Sequence, residues 1–334
     1  MKIQPPPRFG LAQLPTPLER FALSPNPDLN VEIFIKRDDL TGSILSGNKI
    51  RKLEFLLYDL LASKCDAVIT CGGVQSNHCR AVAALCATAG IDCHLILKGK
   101  EPKVPEGNYF LCKLFDAKMK FISDDNYERN IDGIMHKMAV QLNARGKKTY
   151  IIPEGGSDAL GVWGYIKALE EIKTQVDKAK IKIDTIVTAV GSGGTYAGLY
   201  LGSKLIGWDV KILGFAVSRD AQYFQKRIFD ICIGFQGQTK TDLGLNPEEI
   251  DIDDRFIGPG YAKIGQTEID FIKRVAANSG IVLDPAYTSK ALLGLFSTIE
   301  EGKFKVGSNI VFIHTGGSWG LLPSSSVIFG KREL

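Results

Sequence analysis

The chain has 334 residues, of which 45% are hydrophobic and 23% charged, and its formal net charge is +4. That length leaves room for two α/β lobes with substantial cores and a crevice between them, and no apolar run reaches the length of a membrane helix. Basic and acidic residues are interspersed without a basic block, which argues against a nucleic-acid partner. The segment from Met1 to Pro7 carries neither an apolar signal core nor an Arg-rich amphipathic pattern, so a cytoplasmic location is expected.

After Pro15-Thr16-Pro17-Leu18, residues Val31 to Ile35 read as a strand and Lys49 to Leu61 as a helix. At the junction, Ser46-Gly47-Asn48-Lys49-Ile50-Arg51-Lys52 presents a lysine where turn becomes helix. A lysine that bonds covalently to a carbonyl must be neutral part of the time, and repulsion from Arg51 and Lys52 would favour that form. Lys49 is the candidate anchor. The competing reading is a solvated cationic helix face.

Next, the apolar run Ala67 to Thr70 leads into Cys71-Gly72-Gly73-Val74-Gln75-Ser76-Asn77-His78 and an Ala-rich helical pattern ending at Gly90. Ser76 and Asn77 fall at the helix entrance, where unpaired N–H groups and the helix dipole favour an anion. The alternative is that either residue simply caps the helix. Further strands are predicted at Cys93–Lys98, Met119–Ile122, Thr149–Pro153, Thr185–Val190, Val210–Val217 and Asn309–His314, with helical patterns between most of them. This alternation predicts parallel sheets. Six of the seven cysteines (Cys65, Cys71, Cys79, Cys86, Cys93, Cys112) precede the lone Cys232. No Cys-x-x-Cys pair occurs, and His78, His94, His136 and His314 form no local metal-ligand pair, so reduced core thiols and no metal are expected.

The strand ending at Val190 runs into Gly191-Ser192-Gly193-Gly194-Thr195 and then a helical pattern. Glycines let consecutive amides approach phosphate oxygens, Thr195 adds a hydroxyl, and the helix supplies its positive end. A dinucleotide fingerprint would need glycine where Tyr196 stands, and Gly42 to Lys49 fits no Walker loop. A smaller phosphorylated cofactor is therefore expected.

Lysine, Ser-Asn turn and glycine loop in this order resemble the fold-type II pyridoxal 5'-phosphate enzymes. With Lys36-Arg37-Asp38-Asp39, Pro153-Glu154-Gly155-Gly156, Asp284-Pro285-Ala286-Tyr287-Thr288 and His314-Thr315-Gly316-Gly317, the chain is similar to the 1-aminocyclopropane-1-carboxylate deaminase and D-cysteine desulfhydrase family over nearly its whole length. The resemblance implies an α/β, tryptophan synthase β-like fold of two open, twisted, mostly parallel-sheet domains with the cofactor in the cleft. The implied large domain comprises residues 1–51 and 160–334, the small one 52–159. A homodimer is implied as well. Simple turn chemistry competes for Gly155-Gly156.

Residue by residue, the resemblance assigns Lys49 as anchor and base, and Asn77 as the contact to the cofactor ring hydroxyl. It assigns Gly191, Ser192, Gly193, Gly194 and Thr195 to the phosphate, and Ser76, Asn77 and His78 to the substrate carboxylate. Ser76, Tyr261 and Tyr287 are implied proton carriers, although Ala262-Lys263-Ile264-Gly265 departs from the family pattern after Tyr261. Ring-opening deaminases carry Glu at the Thr288 position and Leu at the Thr315 position. Neutral threonines beside the cofactor's ring nitrogen support a shallower electron sink, which points to α,β-elimination from D-cysteine, a substrate with a good leaving group. The rivals are ring opening, elimination from cysteate or β-chloroalanine, and, in a different class, a noncatalytic cofactor or amino-acid binder or a dinucleotide oxidoreductase.

Overall fold

The structure, a computed structural model, describes residues 3–330; Met1, Lys2 and the last four residues, at the ends of the expected large domain, lie outside the described residues. Two sheets organise the chain. The first has strand order β1-β2-β10-β7-β8-β9, built from β1 (Leu18–Arg20), β2 (Glu32–Lys36), β7 (Thr185–Val190), β8 (Lys211–Ala216), β9 (Asp251–Asp253) and β10 (Asn309–Ile313). Only β1 with β2 is antiparallel. The second, with order β5-β4-β3-β6, is wholly parallel: β3 (Ala67–Gly73), β4 (Asp92–Lys98), β5 (Lys118–Ile122) and β6 (Thr149–Ile151).

Between the strands run α1 (Asn48–Ala62), α2 (Asn77–Ala89), α3 (Gly107–Leu114), α4 (Asp124–Asn143), α5 (Trp163–Ala179), α6 (Gly194–Ile206), α7 (Ala221–Thr239), α8 (Gln266–Ser279) and α9 (Thr288–Glu300). Every residue of β7 is buried, as a strand covered by helices on both faces requires. Three-residue β1 and β9 were not expected from the sequence, because each is too short and too charged to show alternation. The strand expected to reach Pro153 stops at Ile151.

Two features aim α1 at the cleft. Gly47 caps it with φ +89°, and a Cβ there would lie 2.6 Å from the Thr315 carbonyl oxygen, so only glycine fits. Ile50, Leu53, Leu56, Leu57 and Leu60 then bury one face in the core above the second sheet. Helix α2 starts at Ser76, whose side chain accepts from Cys79 N, and ends at Gly90 in the left-handed conformation. The seven cysteines are unpaired, six of them buried.

Candidate active site

Loops at the carboxyl ends of β3, β4, β6, β7, β8 and β10 enclose a cavity of about 400 Å³, the position at which open α/β sheets hold ligands. Its wall includes Lys49, Ser76, Asn77, His78, Gly191, Ser192, Gly193, Thr195, Tyr261, Tyr287 and Thr315. Of the residues expected at the site, Gly194 and Thr288 stand behind that wall.

Lys49 enters from the first turn of α1. Its Nζ donates to Asn48 Oδ1 at 3.0 Å and lies 5.7 Å from the centre of the Tyr287 ring. Burial lowers its pKa to about 8, Asp284 and Glu154 oppose that fall, and Arg80 adds to it. The sequence offers only repulsion from Arg51 and Lys52 as a cause, whereas burial is the main one. The Arg51 guanidinium turns away from the cavity to bond Asp38, Glu171 and Thr16.

Lys52 points elsewhere, and sequence reasoning missed its role. The residue is 1% exposed, and its Nζ lies 3.2 Å from both the Gly155 carbonyl and Ser157 Oγ. It makes no ion pair with any described residue, and burial, then Lys49, hold its pKa well below the ordinary lysine value. A Cβ on Gly194 would come within 2.8 Å of that amine, so Lys52 sits directly behind the glycine loop. Ser157 Oγ accepts from Gly194 N at 3.2 Å and pairs with Ser192 Oγ at 2.8 Å. Gly193 takes φ +86° to start α6, whose orphan amides open on the cavity. A buried lysine opposed only by the more distant charge of Asp158, behind glycines and a helix N-terminus, fits a phosphate group.

The α2 entrance combines both readings of Ser76. Its Oγ caps the helix by accepting from Cys79 N at 3.1 Å, which leaves the hydroxyl proton available. The first-turn amides of Asn77 and His78 have no partner within the helix. Asn77 Oδ1 accepts from Asn108 Nδ2 at 2.8 Å, so the free side of its amide is the NH2, a donor for a ring hydroxyl. Thr70 spends its one proton on the Ile152 carbonyl, and His78 Nε2, 2.8 Å from Thr70 Oγ1, is then the donor of that pair. Burial keeps the imidazole neutral, and Nδ1 has no partner. His78 thus offers an anion its backbone amide rather than a charged ring.

Across the cavity, the Tyr261 and Tyr287 hydroxyls lie 2.8 Å apart with rings edge to face at 75°. Burial raises both phenols, so they are neutral donors. Asp284, 1% exposed, holds Tyr287 in place. Its carboxylate accepts from the amides of Ala286, Tyr287 and Thr288 and from Thr288 Oγ1 at 2.7 to 3.0 Å. That engagement removes Thr288 from the wall, because its only proton goes to Asp284. Asn48 is a further missed residue: its Nδ2 donates to Thr195 Oγ1 at 3.0 Å while its Oδ1 accepts from Lys49 Nζ, joining anchor to phosphate loop. At the mouth, Glu128 of α4 bonds both Lys98 at the end of β4 and Arg219 beyond β8, closing the cavity from two sides.

The donor set could hold pyridoxal phosphate: Lys52, Ser192, Thr195 and the loop amides for phosphate, Asn77 for the ring hydroxyl and Lys49 for the reactive carbon. The pattern of the pyridoxal-phosphate dependent enzyme family covers residues 10–316. The mitochondrial bifunctional D-cysteine desulfhydrase/1-aminocyclopropane-1-carboxylate deaminase of Arabidopsis thaliana is 41% identical over 322 residues, 94% of this chain and 79% of the relative. The D-cysteine desulfhydrase of Salmonella paratyphi A is 36% identical over 319 residues, 93% of this chain and 94% of its own. The crystal structure of an ACC deaminase homologue superposes with a TM-score of 0.86 at 35% identity, covering 96% of this chain and 95% of that one.

Proposed function

Because the chain belongs to the pyridoxal-phosphate dependent enzyme family, we propose that it is a carbon-sulfur lyase converting D-cysteine to pyruvate, ammonia and hydrogen sulfide. The working form in this reading is a cytoplasmic homodimer. Residues 52–159 make the small lobe and residues 1–51 with 160–334 the large one, a division supported by the fact that the four-stranded sheet draws only on residues 67–151. Lys49 then stands at the seam, one turn of α1 from the small lobe.

When bound, pyridoxal phosphate supplies the electron sink that lets Cα of an amino acid lose its proton. The chain's own groups do the rest. The Asn77 and His78 amides and the Ser76 hydroxyl receive the substrate carboxylate, which orients Cα toward Lys49. With a pKa of about 8, Lys49 Nζ is neutral often enough near neutral pH to take the Cα proton. The paired phenols of Tyr261 and Tyr287 can donate to a departing sulfur or relay a proton, and the Lys98–Glu128–Arg219 contacts limit entry of bulk water.

Neutral threonines carry the choice of thiol elimination over ring opening. Thr315 is on the cavity wall, and Thr288 has its hydroxyl committed to Asp284, so neither puts a carboxylate on the cofactor's ring nitrogen. The second reading, ring-opening deamination, is favoured by the bifunctional Arabidopsis relative. The test is keto-acid production by the cofactor-loaded protein with D-cysteine, L-cysteine, cysteate, β-chloroalanine and 1-aminocyclopropane-1-carboxylate. Pyruvate and sulfide from D-cysteine are expected. Formation of 2-ketobutyrate from the cyclopropane substrate would overturn the threonine argument, and silence on every substrate would leave a binder.

A further inference from the structure

Asn108, the second residue of α3, is fully buried behind the α2 entrance and is not itself on the cavity wall. Its Oδ1 accepts from Arg80 Nε at 3.0 Å, and its Nδ2 donates to the Gln75 carbonyl at 2.9 Å and to Asn77 Oδ1 at 2.8 Å. Its backbone N–H holds the Gln75 side chain through Oε1 at 2.9 Å. Only one orientation of the Asn108 amide satisfies these neighbours. A guanidinium has donors and no acceptor, and a backbone carbonyl only accepts, so Oδ1 must face Arg80 and Nδ2 the Gln75 oxygen. The second Nδ2 proton then meets Asn77, which can answer only with its Oδ1. The Asn77 NH2 is thereby left toward the cavity, bonded to no described residue.

We propose that Arg80 and Asn108 are positioning residues that set the polarity of Asn77, so that it meets the ring oxygen of pyridoxal phosphate as a donor and never as an acceptor. This rests on the cofactor contact assigned to Asn77, and not on which amino acid is turned over. The two ends of a side-chain amide have nearly the same shape, so packing alone does not choose between them. The choice has to come from partners that can only donate or only accept. Arg80 is such a partner, and it is itself fixed: fully buried on α2, it donates through Nη1 to the Ile44 carbonyl and through Nη2 to the Ser46 carbonyl at 3.1 Å. Those carbonyls belong to the segment leading into Lys49. One guanidinium therefore ties the approach to the anchor and dictates, through two amides, what the wall offers the ring oxygen. A donor there stabilises the ionised oxygen, whereas an acceptor would require that oxygen to keep its proton.

The experiment reads the absorbance of the cofactor-loaded protein without substrate, at one neutral pH. Bound cofactor with an ionised ring oxygen absorbs in the visible, and with that oxygen protonated in the near ultraviolet. Asn108→Asp keeps the side-chain shape and replaces the Nδ2 donor with an acceptor. The carboxylate still accepts from Arg80 Nε, but Asn77 has to give it the NH2 and turn Oδ1 to the cofactor. The ratio of visible to near-ultraviolet absorbance should fall about 10-fold or more, the worth of one hydrogen bond to a charged group. Asn77→Asp, which sets an oxygen at the same place directly, should fall in the same direction. Asn77→Ala should lower the ratio by less, and adding Asn108→Asp to it should change nothing further, because Asn108 acts through Asn77.

A wild-type ratio in Asn108→Asp, beside a lowered one in Asn77→Ala, overturns the relay and leaves the Asn77 contact standing. A ratio that Asn77→Ala does not move overturns contact and relay together. A fall in Asn108→Asp that persists in the Asn77→Ala background marks a merely structural effect and also overturns the relay. Should Asn108→Asp not fold, the wild type carries the test. With isotope-labelled asparagine, both Asn108 side-chain protons should resist exchange with and without cofactor, and an Asn77 proton should become protected only on loading. Freely exchanging Asn108 protons, or an Asn77 amide unchanged by loading, overturn the proposal. Pyruvate formation from D-cysteine is scored separately, so a failure of the elimination reading leaves these absorbance and exchange results untouched.

Discussion

Lys52→Met separates phosphate recognition from folding. Methionine keeps the straight, apolar stem that α1 buries and deletes only the ammonium that lies 3.2 Å from Gly155 O and Ser157 Oγ. If that ammonium faces a phosphate oxygen in the loaded protein, a charge-assisted hydrogen bond of about 1.5–3 kcal/mol is lost. Pyridoxal phosphate should then bind about 10- to 150-fold more weakly. Free pyridoxal, which has no phosphate, should bind both proteins alike, and titrating each ligand by its absorbance reads the two constants directly. The cofactor-free protein supplies an independent sign. Lys52 has a depressed pKa in the fold and the ordinary value of about 10.4 when unfolded, so between the two values the unfolded chain holds more protons. The stability of the cofactor-free wild type therefore climbs with pH across that window, and the Lys52→Met variant should lose this contribution and melt no lower than wild type at neutral pH. Equal weakening of pyridoxal and its phosphate, or a large loss of melting temperature in Lys52→Met without cofactor, would refute the phosphate assignment.

Turnover limited by neutral Lys49 should rise with pH through about 8, read from kcat/KM, and Lys49→Ala should abolish both turnover and the visible absorbance of the bound cofactor. Asp284 holds the Lys49 pKa up, so Asp284→Asn should move that ascending limb to lower pH while also loosening Tyr287, measured as a drop in melting temperature. Gly155→Ala places a Cβ 2.1 Å from Ser192 Oγ at φ +68°, which should cost about 1–3 kcal/mol in denaturant unfolding and weaken phosphate binding through the displaced serine.

What could be read from the sequence is what a local rule imposes. A glycine run after a buried strand and before a helix has few ways to fold, so the turn at Gly191 was placed at a strand end without reference to the rest of the chain, whereas Cys71-Gly72-Gly73, read as the turn after a strand ending at Thr70, continues β3 by pairing with Ile96, Leu97 and Lys98. Lys49 was identifiable for the same reason, because its backbone position at a helix start follows from its neighbours. Side-chain direction obeys no such rule. Arg51 and Lys52 are adjacent in sequence, but successive helical residues point about 100° apart, which sends one cation to Asp38 and Glu171 and the other behind the phosphate loop. Reading them together as a repulsive pair left out burial, the main cause of the shift at Lys49.

Thr288 illustrates a second kind of illegibility. Its type and position were correctly noted, but a hydroxyl has one proton, and whether a cofactor can use it depends on the competition from Asp284 four residues earlier. The same accounting decides His78, where the Thr70 bond to the Ile152 carbonyl, just beyond β6, selects the tautomer. Sequence motifs thus locate groups, while protons are allocated by long-range packing. Assigning chemistry within this cavity is mainly a question of which hydroxyls, amides and carboxyls remain uncommitted once the fold has formed. By that count Lys49 and Lys52 line or back the cavity with no opposite charge bonded to them, whereas Asp38 and Arg51 answer each other. One amine at the anchor and a second behind the phosphate loop correspond to two things an elimination must manage: a proton taken and an anion held.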